Sequence, residues 1–281
     1  MSMLIGGGQA SDADADAVTV TYPRDDIALV TLNRPAKLNA MNQALVDGIY
    51  AACDEVDARP RLRVVILTGE GRGFCAGADL GGFGTVPGTE DLGQVYQFFG
   101  IQQKITGLIP RLQHLRVPVI AAVNGAAAGG GFALVLGSDI RIASTAARFN
   151  AAFVRIGLSA CDIGVSWMLP RLVGAARAHE LMLTGRLFGA DEALRIGLVT
   201  DVVPVEALLD AALEKADEIC ANSPWGVFMT KEVMWSALEI GSRQAAVDLE
   251  NRTQVLAGLT DDAREAMTAF LQKRPPDWKY A

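Results

Sequence analysis

Apolar positions recur along this chain with two periods, and the places where the period changes mark its elements. Alternation at residues 18–22 and 27–32, joined by Pro23-Arg24-Asp25-Asp26, predicts a β-hairpin. Residues 42–57 carry helical spacing, with Asn42 placed as an N-cap. The β-branched run at 64–68 predicts a buried strand, and the Gly-, Pro- and Thr-rich stretch 81–92 a mobile loop. Helical spacing returns at 95–115 around Pro110. The next segments read as a strand (119–124), a helix (131–138) and a strand (140–143), with a further segment opening at Arg148-Phe149. Helical patterns follow at 167–172 and at 175–184, the latter as continuation or second helix. Others occupy 190–196, 206–221, 224–240, 245–256 and 261–272. Periodicity therefore predicts an α/β region followed by an all-helical one.

Composition narrows the class. The 281 residues, 51% hydrophobic and 20% charged, suit a soluble globular protein with one large domain, or a core and an appendage. A net charge of −7 argues against nucleic acid as the main partner, although a few local lysines can still hold an anionic small molecule. Cys53, Cys75, Cys161 and Cys220 have neither metal-ligand nor disulfide-framework spacing, which fits a reducing cytoplasm. No uninterrupted apolar run reaches membrane-spanning length, and the N-terminus lacks signal-peptide order. Residues 1–17, with Gly6-Gly7-Gly8 and three Asp-Ala pairs, are expected to form a mobile tail without catalytic duty.

Two glycine-rich loops carry the candidate chemistry. Gly129-Gly130-Gly131 follows a buried strand and opens an apolar helix, so its bare amides offer a site for negative charge. If that charge develops only during a reaction, the site is an oxyanion hole; a close helix–strand contact needing small residues explains the same glycines. The second loop, Glu70 through Leu80, follows the strand ending at Gly69 and is equally rich in small residues. Each loop could give one N–H to one oxygen.

In order along the chain stand Asn33-Arg34-Pro35 with Asn39-Ala40, Leu67-Thr68-Gly69, and Phe74-Cys75-Ala76-Gly77-Ala78-Asp79. After them come Pro118-Val119-Ile120-Ala121-Ala122-Val123-Asn124-Gly125, Ser138-Asp139-Ile140-Arg141-Ile142-Ala143, and Ala190-Asp191-Glu192-Ala193 with Gly197-Leu198-Val199. From about Val18 to the C-terminus the chain resembles the crotonase (enoyl-CoA hydratase/isomerase) superfamily. The resemblance implies an α/β fold, a crotonase-like spiral of ββα turns, with a C-terminal helical region that builds a trimer, often paired into a hexamer. The expected divisions are 1–17 (tail), 18–204 (core) and 205–281 (oligomerisation region).

The same resemblance implies an enzyme, a lyase or isomerase, acting on acyl-CoA thioesters. Coenzyme A is then part of the substrate, and no separate cofactor or metal is expected. By motif position, the backbone amides of Ala76 and Gly130 would polarise the thioester carbonyl. Lys37, Leu38, Ala40, Ala76, Gly77, Ala78 and Asp79 would border CoA, joined by Phe270 and Lys273 from the C-terminal helix, often from a neighbouring subunit. Residues 81–88 would border the acyl group. For Asp79, loop-holding hydrogen bonds are favoured over proton transfer. Lys273-Arg274 suits a phosphate and equally suits a helix C-terminus.

Acid/base residues are where the chain departs from the family. Ala133 and Phe153 occupy the positions of the two hydratase glutamates, and neither can move a proton. Asp162, in the loop Leu158 to Gly164, matches an aspartate that dienoyl-CoA isomerases use there, with one extra residue between Gly157 and Pro170. It is the candidate proton shuttle; a helix cap or an Asx turn is the competing role. Cys75 and Cys161 flank the site, but His114 and His179 fall in peripheral helical stretches, which disfavours a Cys–His pair. Isomerase-type enolate chemistry is expected, against two alternatives: a catalytically silent acyl-CoA-binding protein, or a true hydratase using other residues.

Overall fold

The computed structural model describes residues 16–84 and 86–280. The alternating N-terminal pattern forms the antiparallel hairpin β1 (Val18–Arg24) and β2 (Ile27–Leu32). Helix α1 (Gln43–Asp57) follows, capped by Asn42, whose side chain accepts from Leu45 N at 3.0 Å. After it come β3 (Val64–Gly69) and β4 (Gly73–Cys75). The single helix expected over 95–115 is two, α2 (Gln94–Thr106) and α3 (Leu108–Gln113), divided at Gly107. Pro110 lies in the first turn of α3, where its missing N–H costs little.

The succession β5 (Val119–Val123), β6 (Ala126–Ala128), α4 (Gly130–Gly137) repeats the pattern, as do β7 (Ile140–Ser144) and β8 (Arg148–Asn150). Next stand α5 (Val165–Val173) and α6 (Ala175–Thr184), two helices separated by Gly174. The region ends with β9 (Phe188–Gly189), α7 (Ala190–Arg195) and β10 (Asp201–Val203). One six-stranded sheet runs β1-β2-β3-β5-β7-β10, and a four-stranded sheet runs β4-β6-β8-β9. Each consecutive strand pair, β3β4, β5β6 and β7β8, places its first strand in the larger sheet and its second in the smaller. Together with the intervening helices, these pairs trace the turns of a ββα spiral.

This arrangement explains the continuous apolar runs. Every residue of β5 and of α4 is buried, so neither shows amphipathic alternation. The face of the larger sheet away from the main core is covered by α8 (Leu208–Cys220) through Leu208, Ala212 and Ala216. A short 3-10 turn at Val205–Ala207 delays α8 by two residues relative to the periodicity.

The helical end consists of α9 (Pro224–Ala237), α10 (Arg243–Gly258) and α11 (Asp261–Gln272). Helix α9 is latched to the core by a buried ion pair, Lys231 Nζ to Asp139 Oδ2 at 2.9 Å. Lys231 also donates to the carbonyls of Leu112 (3.0 Å) and Val117 (2.9 Å). Asp139 in turn accepts from Val119 N and from Trp235 Nε1, both at 2.7 Å. Beyond the latch, α10 buries no residue fully, and Val255, Leu256, Leu259, Met267, Phe270 and Leu271 are exposed. No helix among the described residues is long and apolar enough to cross a membrane.

Most of the expected tail, residues 1–15, lies outside the described residues. Its last two positions belong to the fold. Ala17 is buried, its carbonyl accepts from Asn33 N at 2.7 Å, and Asn33 Nδ2 donates to Asp16 O at 3.0 Å. The ordered core thus begins before residue 18. In loop 81–92, Phe83 is buried and its carbonyl accepts from Gln43 N at 3.0 Å, and Val86 packs against the core.

Candidate active site

Three loops converge on the start of α4. Two buried or half-buried asparagines first fix the turn after β3. Asn39 is fully buried; its amide donates to Gly73 O (2.8 Å) and Glu70 O (3.0 Å), while its oxygen accepts from Arg34 N (2.8 Å). Asn124 donates to Gly71 O (2.8 Å) and Gly73 O (3.2 Å). The sequence motifs containing these residues therefore act as staples that hold segment 34–41 and the β5 terminus against the turn.

That stapling decides which amides are free. Ala76 N donates to Leu38 O at 2.9 Å. The Ala76 amide, expected as an oxyanion donor, is already committed and cannot serve. Met41 pairs with Ala78 in a parallel bridge, with Met41 N donating to Gly77 O (2.7 Å) and Asp79 N to Met41 O (2.9 Å). In such a bridge the central residue's own N–H points away from its partner. Ala78 is exposed, and its N–H has no acceptor among the described residues. The same holds for Gly130 N, the first amide of α4. A Cβ built on Gly77, next to Ala78, would stand 3.4 Å from Gly130 N, so the two free amides come from adjoining backbones.

The glycines between them are required for different reasons. Gly129 has φ +51°, ψ −117°, a conformation side chains rarely adopt. Gly131 lies against Cys75, where a Cβ would meet Cys75 O at 2.0 Å. Gly131→Ala is expected to destabilise the protein by about 1–3 kcal/mol, because the obstruction is backbone and cannot swing aside. Chemical denaturation measures this, and an unchanged midpoint would contradict the close approach.

The two positions expected to correspond to the hydratase glutamates are apolar and buried. Ala133 is fully buried in α4. Phe153 sits in the 3-10 turn Ala152–Ile156, with its Cε1 3.6 Å from where a Gly129 Cβ would stand. Asp162 lies on the third loop. Its neighbour Ile163 packs on the glycine segment, Cδ1 lying 3.3 Å from the position of a Gly130 Cβ. Ile163 has φ +46°, a strained state for a β-branched residue and costing roughly 1–3 kcal/mol.

The Asp162 carboxylate accepts through Oδ1 from Ile163 N (2.8 Å) and from Gln102 Nε2 of α2. Burial pushes its pKa above the ordinary aspartate range, and the two donors pull partly back. Its side chain caps no helix: the N-cap of α5 is Gly164. Sequence reasoning singled out Asp162 and not its neighbour Gln102, which no local pattern links to it.

The remaining candidates separate. Lys37 is exposed, Leu38 half-buried and Ala40 buried around the 3-10 turn Pro35–Lys37, and Leu38 Cδ2 lies 3.4 Å from where a Cβ on Gly73 would stand. Asp79 was expected to border CoA. Its carboxylate pairs with Arg34 Nη2 (3.1 Å) and accepts from Gly81 N (2.9 Å), the loop-holding role favoured from sequence. Phe270 is 83% exposed on α11, and among the described residues no hydrogen bond or ion pair joins it or Lys273 to residues 37–40 or 76–79. Burial pushes the Cys75 thiol up to about 12, leaving it inert, and both histidines are exposed. A cavity of about 840 Å³ lies elsewhere, between α5 and α9, and neither Gly130 nor Asp162 lines it.

Comparison with known proteins fits this geometry. Residues 23–281 match the family model for enoyl-CoA hydratase/isomerase. A protein of Mycobacterium bovis named as a probable enoyl-CoA hydratase is 42% identical over 260 residues, covering 92% of this chain and 91% of that one. A 1,2-epoxyphenylacetyl-CoA isomerase of Escherichia coli is 39% identical over 261 residues, covering 92% and 97%. The crystal structure of a probable enoyl-CoA hydratase/isomerase from Mycobacterium abscessus superposes with a TM-score of 0.85 at 38% identity, covering 94% of this chain and 99% of that one. The spiral of ββα turns, the helical C-terminal region and the ordered motifs are thus those of the crotonase superfamily, and the chain belongs to the enoyl-CoA hydratase/isomerase family.

Proposed function

We propose that this protein is an isomerase that moves a proton between carbons of an acyl-CoA thioester. The observation that carries the reading is the pairing of a half-buried Asp162, set beside the α4 N-terminus, with apolar residues at both hydratase glutamate positions. The thioester oxygen accepts from Ala78 N–H and Gly130 N–H. The Asp162 carboxylate takes a proton from the carbon chain, the electron pair passes to the carbonyl oxygen as an enolate, and the proton returns to a different carbon. No water is consumed. The amides act where charge develops, an arrangement worth roughly 10²–10³ in kcat per donor. The name of the Escherichia coli relative supports isomerase chemistry.

The same reading sets Lys37, Leu38 and Ala40 along CoA and residues 81–88 along the acyl group. Phe270 and Lys273 would reach CoA from a neighbouring copy, through a trimer built on the exposed apolar face of α10 and α11. The test is a series of 2-enoyl-CoA esters, beginning with crotonyl-CoA, incubated with the full chain in deuterated water and followed by mass spectrometry. Deuterium entering the α or γ carbon without gain of a water is expected. Brisk hydration would overturn the isomerase reading. Binding of the esters with no exchange in any of them would point to a silent acyl-CoA-binding protein.

A further inference from the structure

We infer that Gln102 is a positioning residue for the proposed base: it holds one oxygen of Asp162 so that the other is presented to the substrate. This rests on the isomerase reading above and deepens it. Helix α2 is anchored in the core by buried Ile101 and Ile105, which fixes the backbone from which Gln102 projects. Its Nε2 donates to Asp162 Oδ1, and Ile163 N donates to the same oxygen at 2.8 Å. Asp162 Oδ2 receives no hydrogen bond among the described residues. One oxygen is therefore tied from two directions and the other keeps its lone pairs. The carboxylate plane cannot turn without breaking both bonds, one of them to a strained residue, Ile163. A proton carrier that must leave one carbon and reach another benefits from a single fixed oxygen, because misplacement by about 1 Å costs up to roughly 10²-fold in rate.

The electrostatic role has a definite sign. Among the described residues, the Gln102 amide from α2 and the Ile163 amide on its own loop donate to Asp162, and no charged side chain is among the causes that shift its pKa. Both donors favour the carboxylate over the acid, against burial. Loss of the Gln102 donor leaves burial less opposed, so protonation extends to higher pH. A charged donor at the same place acts in the opposite sense.

The experiment uses the full chain and whichever ester of the crotonyl-CoA series exchanges deuterium fastest. Gln102→Met, unbranched and without a donor, is expected to lower kcat for exchange about tenfold while KM stays within about twofold. The acid limb of its kcat/KM profile is expected to move up by about one pH unit. Gln102→Lys restores a donor with positive charge, and its acid limb is expected at or below that of the parent. In an Asp162→Asn background, Gln102→Met is expected to have no further effect on the residual rate. A residue that only packs α2 would move neither limb. The inference is overturned if both variants leave the acid limb in place, if both shift it in the same direction, or if only KM rises. Should Gln102→Met fail to fold, the sign of the Gln102→Lys shift still decides. An Asp162→Asn variant that exchanges as fast as the parent would sink the isomerase reading itself, an outcome distinct from any of these.

Discussion

Asp162→Asn is expected to lower the rate of carbon-to-carbon proton transfer by roughly 10²–10⁴, with folding and acyl-CoA binding retained. The substitution keeps the shape of the side chain and leaves an oxygen able to accept from Ile163 N, so the loop loses no contact it needs. It removes only the ability to take up and release a proton. Burial holds Asp162 above the ordinary aspartate range, which makes it a stronger base in its ionised form than a solvated carboxylate. Below its pKa the group is already protonated and cannot accept, so kcat/KM should fall as pH drops, with the acid limb above the ordinary aspartate value. Exchange kinetics against pH for parent and variant measure both effects. Parent-like exchange in the variant would show that another group carries the proton.

Lys231→Met is expected to lower stability by about 3–5 kcal/mol, the usual consequence of removing one member of a buried pair. Three acceptors lose their donor at once: the carboxylate of Asp139 and the carbonyls of Leu112 and Val117. Asp139 would keep Val119 N and Trp235 Nε1 but would have no opposite charge. The latch joins α9 to the core, and α10 packs on α9 and α11 on α10. Denaturant titration measures the loss. A midpoint close to that of the parent would mean that apolar contacts alone seat α9.

Much of the fold is legible from pattern. The hairpin β1–β2, the Asn42 cap and the buried runs of β3, β5 and α4 follow from local propensity and apolar period, which act over a few residues. The divisions at Gly107 and Gly174 were less legible, since apolar spacing continues across both; at Gly174 the backbone leaves the helix, with φ +82° and ψ 152°. Lys231 is an ordinary helical lysine in sequence, and its burial follows from where α9 meets Asp139.

At the site the division is sharper. The sequence by itself determined the family, the two glycine-rich loops, and the residue types at three positions: alanine at 133, phenylalanine at 153 and aspartate at 162. These are questions of residue type and order, which the chain carries directly. Only the tertiary structure decided which amide of the Ala76 to Asp79 segment is free. Backbone N–H groups alternate in direction along extended chain, so the answer depends on which residues of segment 38–41 lie alongside; Leu38 takes the amide of Ala76 and Met41 leaves that of Ala78 unused. The partner of Asp162 was decided in the same way, because Gln102 reaches it from a helix whose position is set by the core and not by any spacing along the sequence.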